Sequence, residues 1–149
     1  MSTDKTDLAR FVEAQDKVWG NVCQELQAGT KTTHWMWFIF PQLRALGRSG
    51  TAHFYGLAGG GEAKAYLAHP VLGPRLRDGH ELMLTHRDKS AVSILGSVDA
   101  LKLRSCATLF YRVSGEAHPF MQVLEQFYEG QECPQTLALL EAEPDAWFD

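Results

Sequence analysis

Two sets of polar side chains in this sequence have the types and spacing for chemistry. The first set brackets an unbroken apolar run. Lys31 and His34 stand before Trp35–Pro41, and Gln42, Arg48 and Ser49 follow it. The second set recurs every three residues, Asp99, Lys102, Ser105 and Thr108, with Arg112 beyond it. Lysine and arginine are the side chains that recognise anions. Lys31 and Lys102 are the leading candidates for charge recognition, because a lysine set among apolar residues is rarely buried unless it is paired. The alternative partner of Lys102 is Asp99, three residues earlier on the same helix. His34 is the candidate acid or base, since imidazole titrates near neutrality; a hydrogen-bonded structural histidine is the competing role. Trp35 and Trp37 can stack a planar ligand. At a spacing of two they point to different sides, so one would line a site while the other packs in the core. Ser105 lies close enough to Lys102 for a nucleophile and base pair, although a hydroxyl bonded back onto its own helix is the commoner arrangement.

Other chemistries fit less well. His80 and His86 flank a glutamate but are six apart, whereas zinc-protease histidines are four apart on one helical face. No metal site and no cofactor is expected. Cys106 falls on an apolar helical face, where it acts as a small hydrophobe. Gly59–Gly61 resembles a phosphate loop only in its glycines, for no strand precedes it and no Gly-Lys-Ser/Thr follows; a hinge is the expected role.

These residues need helices to hold them. Leu8, Phe11, Val12, Val18, Trp19, Val22 and Leu26 recur at helical spacing, which predicts a first helix to about Ala28, capped by Asp4 or Thr6 and closed by Gly29. Pro41 removes a backbone donor and disfavours a helical Phe40, so the aromatic run reads as one to two helical turns, a kink, and a further turn to Leu46. A buried strand is the competitor, but no partner strand is visible. The whole run Trp35–Phe40 is expected to be core. Ser49 then caps a short helix, another spans Glu62–Ala68, and Pro70 opens the next. Ser90 caps a turn ended by Gly96. From Ser97 or Asp99 a helix follows with Leu103, Cys106, Ala107, Phe110 and Val113 on one face. Leu101 and Leu109 interleave its polar stripe, which predicts a helix buried on both sides. His118-Pro119 begins a helix to about Tyr128, and Pro134–Ala142 forms the last. The expected fold is all-α: one domain, 1–149, of about seven to nine helices, with residues 1–5 and 143–149 loosely ordered.

A chain of 149 residues with 45% hydrophobic and 21% charged content can build its own core. The net charge of −4 argues against DNA or RNA as partners. The charge is uneven: no acid lies between Glu25 and Glu62, while after Arg112 there are eight acids and no Lys or Arg. The polar start and the lack of a long apolar run predict no membrane association. Three widely spaced cysteines predict reduced thiols in a cytoplasmic protein.

The strings HWMWFIFPQL (His34–Leu43) and LGRS (Leu46–Ser49), AxAYLAHPVLGPRLR (Ala63–Arg77), and the Asp99-x-x-Lys102-Leu103-x-Ser105-x-x-Thr108 pattern resemble the bacterial domain-of-unknown-function family 1810 from about Asp7 to Leu139. The resemblance implies a mainly α-helical single domain and brings no catalytic mechanism with it. Some members carry the label calpastatin. Calpastatin's inhibitory repeats are polar and disordered, whereas this chain is apolar and densely patterned. Lys31, His34, Trp35, Trp37, Gln42, Arg48, Ser49, Lys102, Ser105 and Thr108 match signature positions of the family. Two functions are therefore expected: a pocket for an anionic, partly planar, nucleotide-like small molecule between the Lys31–Ser49 segment and the Asp99–Arg112 helix, or a helical protein-interaction module without catalysis.

Overall fold

The computed structural model describes residues 7–143, and all regular structure among them is helical. The long first helix, α1 (Ala9–Ala28), buries Phe11, Val22 and Leu26 completely. Gly29 closes it at φ 77°, with its N–H on the Leu26 carbonyl and the Thr30 N–H on that of Glu25. A side chain at Gly29 would be strained by that φ and would meet His86 and Lys89 at about 3 Å. The expected caps Asp4 and Thr6 lie outside the described residues.

The aromatic run folds as the proline argument predicts. A single turn, α2 (Met36–Ile39), gives way to non-helical backbone at Phe40, and a 3-10 turn (Arg44–Leu46) follows. Trp35, Met36, Phe38, Ile39 and Phe40 are core, but Trp37 is only half-buried. The expectation that the whole run is covered is corrected there, because Trp37 lies on the opposite side of the turn from Trp35. Ser49 caps α3 (Gly50–Phe54), its hydroxyl accepting the Ala52 N–H at 3.0 Å.

α4 (Gly60–Ala68) begins two residues before the expected Glu62. The Glu143 carboxylate receives its Gly60 N–H at 3.0 Å. Apart from Glu143, the termini expected to be loose lie outside the described residues. α5 (Leu72–Leu84) starts two residues after Pro70, and the turn at Pro70 is held by His69, whose imidazole accepts the N–H groups of Val71 and Leu72 and whose carbonyl accepts that of Gly73. Pro74 sits in the first turn, where its missing N–H costs no helical bond. Short α6 (Ala91–Leu95) is capped by Ser90 and turns through Gly96 at φ 91° into α7 (Ser97–Ser114).

α7 runs through the core, with Leu103, Cys106, Ala107, Leu109 and Phe110 fully covered. Leu101 departs from the expected burial on both sides: it is 63% exposed. A π-helical turn (Ala117–Met121), α8 (Gln122–Tyr128) and α9 (Pro134–Ala142) complete the described chain. The start of α9 is bolted to α7. Arg104 donates to the carbonyls of Gln131 and Glu132, Arg112 forks onto the Glu132 carboxylate, and the Thr108 hydroxyl accepts the Cys133 N–H.

Two buried polar groups lock the interior. The Gln15 amide donates to the Phe38 carbonyl at 2.7 Å and to the Tyr66 hydroxyl at 2.9 Å. His80 is sandwiched edge-on between Phe40 and Phe120, its Nδ1 donating to the Leu76 carbonyl at 2.9 Å. Burial pushes its pKa down to about 4, so the ring is neutral. No helix among the described residues is long and apolar enough to cross a membrane.

Candidate functional site

An open cleft of about 640 Å3 separates the segment after the aromatic turn from the first half of α7. Trp37, Gln42, Leu46, Arg48, Ser49 and Ala52 form one wall. Val98, Leu101, Lys102 and Ser105 form the other, and Gln135 from the start of α9 closes one end. A recess of about 10 Å3, the size of one water, continues behind it between Trp37, Gln42, Lys102 and the Met36, Phe40 and Tyr55 side chains.

The first wall is an irregular segment, yet it is held at many points. Leu43 and Leu57 form a parallel bridge, with the Arg44 N–H on the Leu57 carbonyl at 2.7 Å and the Leu57 N–H on that of Gln42 at 3.0 Å. Arg10 reaches up from α1 to the carbonyls of Phe54, Gly56 and Asp7 and pairs with Glu62. Gly56 passes so close to the Arg44 backbone that a Cβ there would lie 2.4 Å from the Arg44 Cα. The second wall is a helical stripe, because positions 98, 101, 102 and 105 share one face.

Lys102 sits at the centre. Its Nζ lies 5.3 Å from the centroid of the Trp37 ring and 3.8 Å from the nearer oxygen of Asp99, and its side chain is 23% exposed. Lys31 approaches Asp99 from the other side. Its Nζ is 2.9 Å from the second carboxylate oxygen and 5.0 Å from the Trp35 centroid, with the side chain only 7% exposed. The two lysines therefore converge on one aspartate. Arg48 is exposed, and its guanidinium makes no ion pair or hydrogen bond among the described residues. The Gln42 amide is likewise uncommitted. Ser105 is occupied: its hydroxyl oxygen lies 3.2 Å from the Leu101 carbonyl and 3.4 Å from the Cys133 sulfur, and its one proton is shared between them.

The surface loop ahead of Trp35 belongs to a separate network. The Glu25 carboxylate accepts the N–H groups of Thr32 and Thr33, the Thr33 hydroxyl and the Trp35 indole N–H. Burial acts to raise its pKa, but the hydrogen bonds from Thr33, Thr32 and Trp35 outweigh burial and hold it at about 2. Two other surface depressions, of about 440 and 510 Å3, are built beside charges already paired, Arg10 with Glu62 and His118 with Glu81.

The family model of a protein of unknown function, DUF1810, matches residues 5–140. The chain belongs to the DUF1810 family. A solved structure, that of the conserved hypothetical protein Rv1873 from Mycobacterium tuberculosis, is 46% identical and superposes with a TM-score of 0.91, covering 94% of this chain and all of that one. No curated protein matches.

Within this DUF1810 chain the signature residues separate into two groups. Trp37, Gln42, Arg48, Ser49, Lys102 and Ser105 line the cleft. Lys31, His34 and Trp35 do not: Lys31 is taken up by Asp99, Trp35 is fully buried, and His34 is exposed on the loop held by Glu25. Thr108 anchors α9 instead of facing the cleft. Gln135 and Val98 were not among the expected site residues and Leu101 was expected to be buried, although the helical spacing 98–101–102–105 carried the signal for two of the three. Cys133, expected only as one of three reduced thiols, is a free and buried cysteine. It occupies the N-cap of α9 behind Ser105 and Gln135. Burial acts to raise its pKa, but the neighbouring Ser105 and Thr136 hydroxyls and the first backbone N–H groups of α9 bring it below the ordinary thiol value.

Proposed function

We propose that the cleft between the Trp37–Ala52 segment and α7 binds an anionic, partly planar small molecule of nucleotide-like chemistry. The observation that carries this reading is the set of uncommitted donors facing one concave space: the Arg48 guanidinium, the Gln42 amide and the loosely paired Lys102 ammonium over Trp37. The cleft volume falls in the range of small-molecule sites. Asp99 balances one lysine, so the three groups Lys31, Lys102 and Asp99 leave a net positive charge, to which Arg48 adds. No catalytic role is assigned, because the candidate acid or base, His34, does not line the cleft.

Isothermal titration with AMP, UMP and inorganic pyrophosphate tests the reading. The parent protein is expected to bind at least one of them, with Lys102→Met and Arg48→Ala each weakening it about tenfold, the loss of one charge-assisted contact. Failure of every anion to bind the parent, or equal affinity in the variants, would overturn it. The second reading is a helical interaction module, and it draws on the exposed Phe54, Val98 and Leu101. It gains if no small anion binds and alanine at these three positions abolishes a protein contact.

A further inference from the structure

The cationic cleft has an apolar wall, and that wall restricts what the cleft accepts. Four large hydrophobic side chains stand exposed among the described residues, Phe54, Val92, Val98 and Leu101; two of them, Val98 at 65% and Leu101 at 63%, belong to the cleft-facing stripe of α7. They lie one helical turn apart, immediately before Lys102 and Ser105 on the same face. Leu46 and Ala45 look across from the opposite wall. Passing along the stripe, the lining changes from aliphatic to cationic. A purely polar anion would contact Lys102, Arg48 and Gln42 and leave Val98, Leu101 and Leu46 wetted.

Resting on the anion-site reading above, we infer that the ligand is an amphipathic anion: a phosphate or carboxylate head joined to an aliphatic or aryl group. The head meets Lys102, Arg48 and the Gln42 amide, and the apolar group covers Val98, Leu101 and Leu46. The aromatic face of Trp37 stands beside the head, where Lys102 already lies over it. A small molecule fits better than a flat docking partner, because the apolar and cationic groups line the same concavity. The cations and the aliphatic stripe also describe what an anionic lipid surface would meet, and the test separates that source from the free ligand.

The experiment measures the affinity of the full chain for inorganic phosphate, butyl phosphate, hexyl phosphate and AMP, and for vesicles of phosphatidylcholine with phosphatidic acid. Affinity is expected to rise about two- to fourfold for each methylene from butyl to hexyl phosphate, the gain of burying a CH2 group. In the double variant Val98→Ser, Leu101→Ser that slope should fall by half or more, lowering the ratio of hexyl to inorganic phosphate affinity. Both positions are mostly exposed, so the variant should keep the parent's circular dichroism and melting temperature. Lys102→Met should weaken all the phosphates together. An affinity independent of chain length in the parent, with AMP binding still sensitive to Lys102, would overturn the amphipathic ligand and leave the anion site standing. No response to any anion would overturn both. Binding confined to the vesicles, with none to the free alkyl phosphates, would overturn the small-molecule assignment in favour of a lipid surface.

Discussion

Two lysine–tryptophan pairs flank Asp99, and they have opposite fates. Lys31 over Trp35 is sealed: its ammonium is 2.9 Å from the carboxylate, the lysine side chain is 7% exposed and the indole is fully buried. Lys102 over Trp37 is open: the contact to the same carboxylate is 3.8 Å, the lysine side chain is 23% exposed and the indole borders the cleft. The residue types are the same, and so is the arrangement of cation over ring. What differs is whether water reaches the ammonium. A sealed pair is satisfied by its own aspartate and contributes to the fold. An open pair shares that aspartate at longer range and keeps its donors available. A cation over an aromatic ring can take up a ligand only where its counter-ion leaves it unspent.

The largest test of this division lies in the two indoles. Trp35→Ala should cost about 3–5 kcal/mol, the ordinary penalty for truncating a fully buried aromatic. It also strands one hydrogen bond of Glu25. Trp37→Ala removes a half-buried ring that borders open space, and should cost about 1–2 kcal/mol. Urea denaturation of the two variants measures the difference. Equal losses would show that both pairs are structural and that the cleft wall is core.

The lysines give the next largest difference. Lys31→Met leaves Asp99 in a largely buried setting with only its more distant partner, and should destabilise by about 2–3 kcal/mol. Lys102→Met keeps the packed stem and leaves Asp99 its closer partner, so its effect should stay within about 1 kcal/mol. Asp99→Asn in the Lys31→Met background should restore part of the loss, since the stranded charge is gone. A larger loss for Lys102→Met than for Lys31→Met would reverse the assignment of which pair is structural.

Much of this was legible in the sequence, and the reasons it stopped where it did are physical. Helical period, the Pro41 kink, the Ser49 and Ser90 caps and the proline start of α9 are local rules, and each is seen in the structure. The spacing of two between Trp35 and Trp37 also assigned them to different sides, without saying which side was the interior. What the sequence could not carry was the pairing of charges distant along the chain. Asp99 looked like the i−3 partner of Lys102, and only tertiary packing brings Lys31 nearer to it. Pro70 opens a turn held by the His69 side chain, a contact no propensity argument supplies, and regular helix begins only at Leu72. Leu101 and Leu109 read alike as leucines between polar positions; one meets the core and the other an open cleft.

The smallest expected effect concerns the carboxylate that holds the sealed side. Glu25 binds Thr32, Thr33 and the Trp35 indole, and nothing equivalent fixes Trp37. Its pKa of about 2 in the folded protein lies below the ordinary value of 4.5. A depressed carboxylate adds stability that is fully present above the ordinary value and is lost as the pH falls from there through about 2. Glu25→Gln removes that titration and should cost about 1 kcal/mol at neutral pH, where the lost bonds are charge-assisted. The gap between parent and variant should then close as the pH falls toward 2. His80 titrates in the same direction between 6.5 and about 4, because its buried ring must stay neutral, but it is present in both proteins and cancels in the difference. Urea midpoints of the two proteins at several pH values from neutral down to the acid limb measure that gap. A gap that stays constant across the range would show that the charge on Glu25 does not hold the Lys31–Trp35 side, and that shape alone separates the two pairs.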